Sequence, residues 1–170
     1  MTAQNADGRV VVGVDDSPGG RAALAYALRE GTLRGAEVEV ISAFASPDYW
    51  ACDATQGWAA APTIEEIRED VLRHVEQIVA HVRAQLGDAG ATDVRVRAVG
   101  SSAAAALIDA SRGAELLVVG SRGRGGFASM LLGSVSLQCV LHATCPVTVV
   151  PTPAGDSAAD GRHRMAAASN

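Results

Sequence analysis

Two short runs constrain this chain more than any other feature. RVVVGV (Arg9–Val14) and ELLVVG (Glu115–Gly120) are nearly continuous in apolar, mostly β-branched residues, with no polar alternation along them. A strand with one wet face alternates between apolar and polar residues. A strand that is apolar throughout is covered on both faces, and such strands belong to parallel sheets sandwiched between helices.

The remaining segments fit that frame. In DDSPGG (Asp15–Gly20), Ser17 has the chemistry of an N-cap and Pro18 suits the first helical position. The spacing predicts a helix over Pro18–Arg34 with Leu24, Ala27, Leu28 and Gly31 on one face, stopped by Gly35. EVEVISAF (Glu37–Phe44) reads as a second strand, and 46–61 as an irregular stretch carrying Trp50 and Trp58. Thr63 and Glu66 form a capping box. The helix after it carries Ile64, Ile67, Val71, Val75, Ile78, Val82 and Leu86 in steps of three and four. Its His74 and His81 are two turns apart, too far to share a metal, and read as a solvated face. Gly87–Thr92 reads as a loop and DVRVRAV (Asp93–Val99) as an edge strand with its arginines outward. A helix is expected over Ser101–Arg112, another over Gly133–His142, and a last strand over Pro146–Val150. Alternating strands and helices predict an α/β fold: a single doubly wound domain over 9–151, with a five-stranded, mainly parallel sheet and helices on both faces. Residues 1–8 and 152–170 read as flexible tails.

Composition narrows the function. At 170 residues the chain suits one domain, and with aromatics at 4% the core must come from Ala, Val, Leu and Ile. A net charge of −5 is no footprint for nucleic acid. The chain has no lysine, which excludes Schiff-base chemistry, a P-loop lysine and a lysine general base. Met1–Gly8 is polar and no run approaches a membrane span, so a cytoplasmic protein is expected, with no membrane partner. Cys52, Cys139 and Cys145 are odd in number and lack metal-ligand spacing, so reduced thiols are expected.

In open α/β sheets ligands bind beyond the carboxyl ends of the strands, where strand order reverses. If the two buried strands are neighbours there, DDS after the first meets GSRGRGG after the other. In that second loop Gly120, Gly123, Gly125 and Gly126 let the backbone approach an anion closely. Gly133 and Ser134 open a helix whose free amides and dipole favour negative charge, and the hydroxyls of Ser134 and Ser136 can each donate to it. Arg122 and Arg124 add charge in bidentate geometry. The spacing fits neither a Walker A loop, which ends in Gly-Lys-Ser/Thr, nor a dinucleotide fingerprint.

Gly120, two residues, Gly123, nine residues, Gly133 and Ser134 match G-x2-G-x9-G-[S/T] at every position. On that motif, with VVGVDDSPGG at the start and GSVSLQCVLHATCPVTVVP at the end, the chain resembles the universal stress protein family, of the ATP-binding type. The likeness covers roughly Arg9–Pro151. It implies strand order 3-2-1-4-5 with ATP at the strand ends. Asp15 matches the acidic residue at the nucleoside, with Gly13 before it, and Ala43 the position whose backbone reads adenine. Gly120, Ser121, Arg122, Gly123, Arg124 and Gly126, with Gly133, Ser134, Val135 and Ser136, match those at the phosphates and ribose. Mg²⁺ would come as a phosphate partner. Related proteins dimerise through the last strand, here Pro146–Val150, so a homodimer is expected. The implied role is a nucleotide-linked regulator or sensor in the stress response, read by a protein partner.

The alternative is an enzyme, a slow ATPase or nucleotide phosphotransferase. Hydrolysis needs a base or water-positioning residue near the γ-phosphate. No His or Glu is near the motif, and His142 is at the far end of its helix. No catalytic residue and no resident metal is therefore assigned, and any turnover is expected to be slow.

Overall fold

The computed structural model describes residues 8–45, 62–123 and 132–152. Five strands, β1 (Arg9–Gly13), β2 (Glu37–Ala43), β3 (Val94–Val99), β4 (Leu116–Gly120) and β5 (Val147–Val150), form one sheet in the order β3-β2-β1-β4-β5. Every pairing is parallel. The central strands β1 and β4 are the two apolar runs, and they pair directly, with Val10 opposite Leu116 and Val12 opposite Val118.

The helices are α1 (Pro18–Arg34), α2 (Ile64–Leu86), α3 (Ala103–Ala110) and α4 (Ser134–His142). Each face of the sheet has its own core. Leu24, Ala27 and Leu28 of α1 and Val75, Ile78, Val79 and Val82 of α2 pack on Val10, Val12, Val38, Val40 and Val118. On the opposite face Leu107 of α3 and Cys139 of α4 pack on Val11, Ile41, Leu117 and Val119. Burial pushes the Cys139 thiol up to about 11, so at neutral pH it is a protonated, inert core group.

Helix ends follow from local chemistry. Ser17 Oγ accepts from the Gly20 amide at 3.0 Å, and Gly35 closes α1 in the left-handed region at φ 64°. The Thr63–Glu66 capping box forms in full. Three expectations are corrected. The α3 helix begins after Ser102, whose hydroxyl caps the Ala105 amide, and ends at Ala110 rather than Arg112. Gly87–Gly90, read as loop, is a turn of 3-10 helix. The apolar stripe of α2 is buried only from Val75 onward, and Ile64 is 47% exposed. A helix of 23 residues is about 34 Å long, and it crosses strands of only seven residues or fewer, so its first turns overhang their carboxyl ends.

The arginines of β3 are exposed, as expected, but one of them also bonds back into the sheet. Arg97 Nη1 turns back to Glu39 Oε1 at 2.7 Å, and Arg9 of β1 reaches the other oxygen of the same carboxylate at 2.7 Å. Glu39 is 2% exposed, so β2 carries a buried carboxylate clamped between two guanidinium groups.

Candidate functional site

The turn after β1 is built around Ser17. The Asp15 carboxylate accepts from the Ser17 hydroxyl at 2.6 Å and from its amide at 3.2 Å, while that hydroxyl caps α1. The N-cap of α1 is thus Ser17, and Asp15 fixes the cap's orientation instead of capping the helix itself.

The turn after β4 is tied in three places. The Ser121 amide donates to the Val150 carbonyl of β5 at 2.7 Å. The Gly133 amide donates to the Ser121 carbonyl at 2.8 Å, which closes the loop onto its own start. The Ser136 hydroxyl donates to the Gly120 carbonyl at 2.6 Å. Two segments ten residues apart are thereby joined into one unit: the strand-end turn and the first turn of α4. Close approach explains two of its glycines. A side-chain carbon on Gly120 would lie 2.7 Å from the Gly19 backbone, and one on Gly123 would fall on the Asp15 carboxylate.

These parts enclose a cleft of about 490 Å³ at the carboxyl ends of β1 and β4. Of the residues singled out in the sequence, Gly13, Asp15, Ala43, Gly120, Arg122, Gly123, Gly133, Ser134, Val135 and Ser136 line it. Arg124 and Gly126, like Cys52, Trp50 and Trp58, lie outside the described residues. Ser121 is not in the lining; its amide and carbonyl bind the loop together, and its hydroxyl accepts from the Thr152 amide at 3.2 Å. Ser136, expected to offer its hydroxyl to an anion, has it turned inward on Gly120, because the side chain is buried against the sheet. Sequence reasoning missed Ile41, Leu107 and Val119, which give the cleft an apolar wall. Their apolar spacing marks them as core, and a core residue beside a cleft carries no further signal.

The N-cap of α4 is Gly133, which has no side chain to turn onto the helix, and the first intrahelical bond runs from Leu137 back to Gly133. The amides of Ser134, Val135 and Ser136 are the first-turn donors left over. The charged side chains in the described lining are Arg122 and Asp15. The arrangement therefore offers one anion-binding end, with helix amides and a guanidinium, and an apolar wall with a carboxylate nearby.

The universal stress protein family model matches residues 8–151. The chain belongs to the universal stress protein family. A universal stress protein of Mycolicibacterium smegmatis is 35% identical over 145 residues, which is 83% of this chain and 47% of that protein. The chain spans about half the length of the curated mycobacterial relatives it matches. Among solved structures, a universal stress protein in complex with cAMP is similar at 26% identity and a TM-score of 0.58, over 87% of this chain and 99% of the other. UspA of Lactobacillus plantarum, at 16% identity and a TM-score of 0.63, shares the fold over 85% of this chain and 98% of its own. The strand order agrees with what membership of this family implies.

A second cleft adjoins the first on the α2 side of the sheet, and the two share Asp15 and Ala43. It holds Asp16, Asp70 and His74 beside Phe44 and Ile78. The Arg21 guanidinium holds the Asp16 carboxyl below its ordinary value of 3.8; burial opposes this, and a hydrogen bond from His74 adds a lesser lowering effect. The stabilisation that this lowering implies is fully present above the ordinary value of 3.8 and is lost as pH falls through the lowered one. Both histidines of α2 are exposed, as expected; among the described residues His81 is 3.2 Å from Gln85 on its own helix, and His74 Nε2 is 3.0 Å from Asp16 Oδ2. Among the described residues no group of three or more His, Cys, Asp or Glu is placed to hold a metal. No helix among them is long and apolar enough to cross a membrane.

Proposed function

We propose that the β1–β4 cleft binds ATP and that this universal stress protein acts as a nucleotide-linked regulator in the stress response. The observation that carries the reading is the Gly133–Ser121 hydrogen bond. It sets the strand-end turn and the α4 amides side by side, with Arg122 between them and the apolar wall opposite. The phosphates would lie on the amides of Ser134–Ser136 and on Arg122. The base would lie along Ile41, Leu107 and Val119, where a flat apolar ring gains most from leaving water. Asp15 suits a ribose hydroxyl, which donates to a carboxylate, better than a phosphate, which that charge repels. Magnesium would arrive on the phosphates, since it keeps much of its water and needs few protein ligands.

Turnover is slow in this reading. The described lining contains no His or Glu, and Asp15 is engaged with Ser17. The same site serves a second reading, cAMP, favoured by the similar protein solved in complex with that nucleotide. One experiment separates them. The purified protein is denatured, any released nucleotide is identified by mass spectrometry, and ATP and cAMP are titrated in calorimetry. ATP in the first assay, or tighter binding in the second, supports the main reading; preference for cAMP replaces it. Binding of neither removes it, and phosphate release at about 1 s⁻¹ or faster makes the protein an enzyme.

Nucleotide on this loop would bear on α4 and β5, because Ser121 is bonded to both neighbours, and a protein partner would read that surface. Support for a homodimer lies in the same region. In the described sheet β5 pairs on one side only, and Leu137, Val140 and Leu141 of α4 are 43–62% exposed. A two-fold pairing of β5 would satisfy that edge. Light scattering at micromolar concentration should give twice the monomer mass; a monomer mass overturns the dimer.

A further inference from the structure

Asp16 is the one non-glycine among the described residues with a positive φ, at 61°. Aspartate tolerates this conformation better than most residues, yet it persists only where the surroundings hold it. Two side chains do so. Arg21, one turn into α1, donates from Nε and Nη2 to one carboxylate oxygen, and His74, which lies 58 residues further along the chain on α2, holds the other. The neighbour of Asp16 is Asp15, whose carboxylate orients the α1 cap and lies against Gly123. A bond made on one face of the sheet therefore ends on a cleft wall at the other.

We propose that His74 is a positioning residue for the nucleotide cleft: by holding the Asp16 carboxylate it fixes the β1–α1 turn and with it the aim of Asp15 toward Gly123. This rests on the reading of the cleft as a nucleotide site only for its effect on affinity; the effect on the turn stands by itself. The contact is suited to tuning rather than to folding. His74 is 52% exposed and Asp16 24%, so the pair can be broken without opening the core. Its setting is charged: Asp15 and Asp70 share the second cleft with it, and Arg21 shares the Asp16 carboxylate. The donor is what matters, and a glutamine amide reaches about as far as Nε2.

The test uses the full chain with His74→Leu and His74→Gln. Amide exchange is followed at Ser17 and Gly20 without ligand, and ATP and cAMP affinity by calorimetry. His74→Leu should speed exchange at both amides and weaken nucleotide binding about fivefold, the scale of one net hydrogen bond. The melting temperature should hold, and His74→Gln should restore both readouts. A merely structural surface contact would not be rescued in this way. Unchanged exchange in His74→Leu overturns the proposal, as does unchanged affinity in a protein that binds nucleotide. If the unaltered protein binds neither nucleotide, the reading of the cleft fails, and the exchange comparison alone decides whether His74 holds the turn.

Discussion

Gly123→Val is expected to weaken nucleotide binding by more than about a hundredfold while leaving the protein folded. The side chain would start where the Asp15 carboxylate lies, so either that carboxylate or the turn must move. Both belong to the proposed site. The turn carries Arg122 and runs directly into the Ser121 link to α4, so displacement separates the two halves of the anion-binding unit. Folding should survive because Gly123 is exposed and outside both cores. Its backbone is not in the region reserved for glycine, so valine is tolerated conformationally. Calorimetry with ATP and a thermal melt, run on the same preparation, check this. Binding within tenfold of the unaltered protein would mean that Gly123 is not at the ligand.

The largest effect on stability is expected on the other side of β2. Replacing both Arg9 and Arg97 with methionine should cost about 3 kcal/mol in urea unfolding, at the lower end of the range for orphaning a buried charge. The lower end applies because both arginines are partly in water, at 31% and 46% exposed, so their pairing with Glu39 is partly screened. Arg9 also donates to the carbonyls of Ala110 and Arg112 at 2.9 and 2.8 Å, which ties the end of α3 to the sheet. Adding Glu39→Leu to the double variant removes the stranded carboxylate and should recover most of the loss, since apolar replacements of buried ion pairs are often neutral. A double variant as stable as the parent would show that the Glu39 carboxylate finds other partners or water at little expense.

This triad marks where the sequence stopped being legible. EVEV alternates, and alternation tells which residues share a face, but not what covers that face. Val38 and Val40 meet α1 and α2, and Glu39 meets guanidinium groups from strands on either side. Those partners are 30 and 58 residues away in the chain, beyond any local pattern. His74 is exposed, as expected, but its bond to Asp16 was hidden for the same reason. On its own helix it has the company of Asp70, Arg73 and Glu76, and only the crossing of the β1–α1 turn gives it Asp16.

Most of the site was legible, because its parts are local. Glycine spacing, an N-cap serine and a helix start are decided within a few residues, and Gly120 and Gly123 fall where close approach requires a glycine. Two hydroxyls were less legible: Ser136 bonds the Gly120 carbonyl, and Ser121 bonds Thr152 beside the loop. A hydroxyl's direction depends on the depth at which its helix docks, which sequence does not state.

By itself the sequence determined the alternation of elements, the two central strands, the caps and the glycine spacing after β4, since each depends on periodicity or on contacts a few residues apart. Tertiary structure alone decided the apolar wall of the cleft, the Glu39 clamp, the Asp16–His74 bond and the closure of Gly133 on Ser121. Each of these joins groups brought together only by sheet order and helix docking, whose geometry is a property of the whole packed domain.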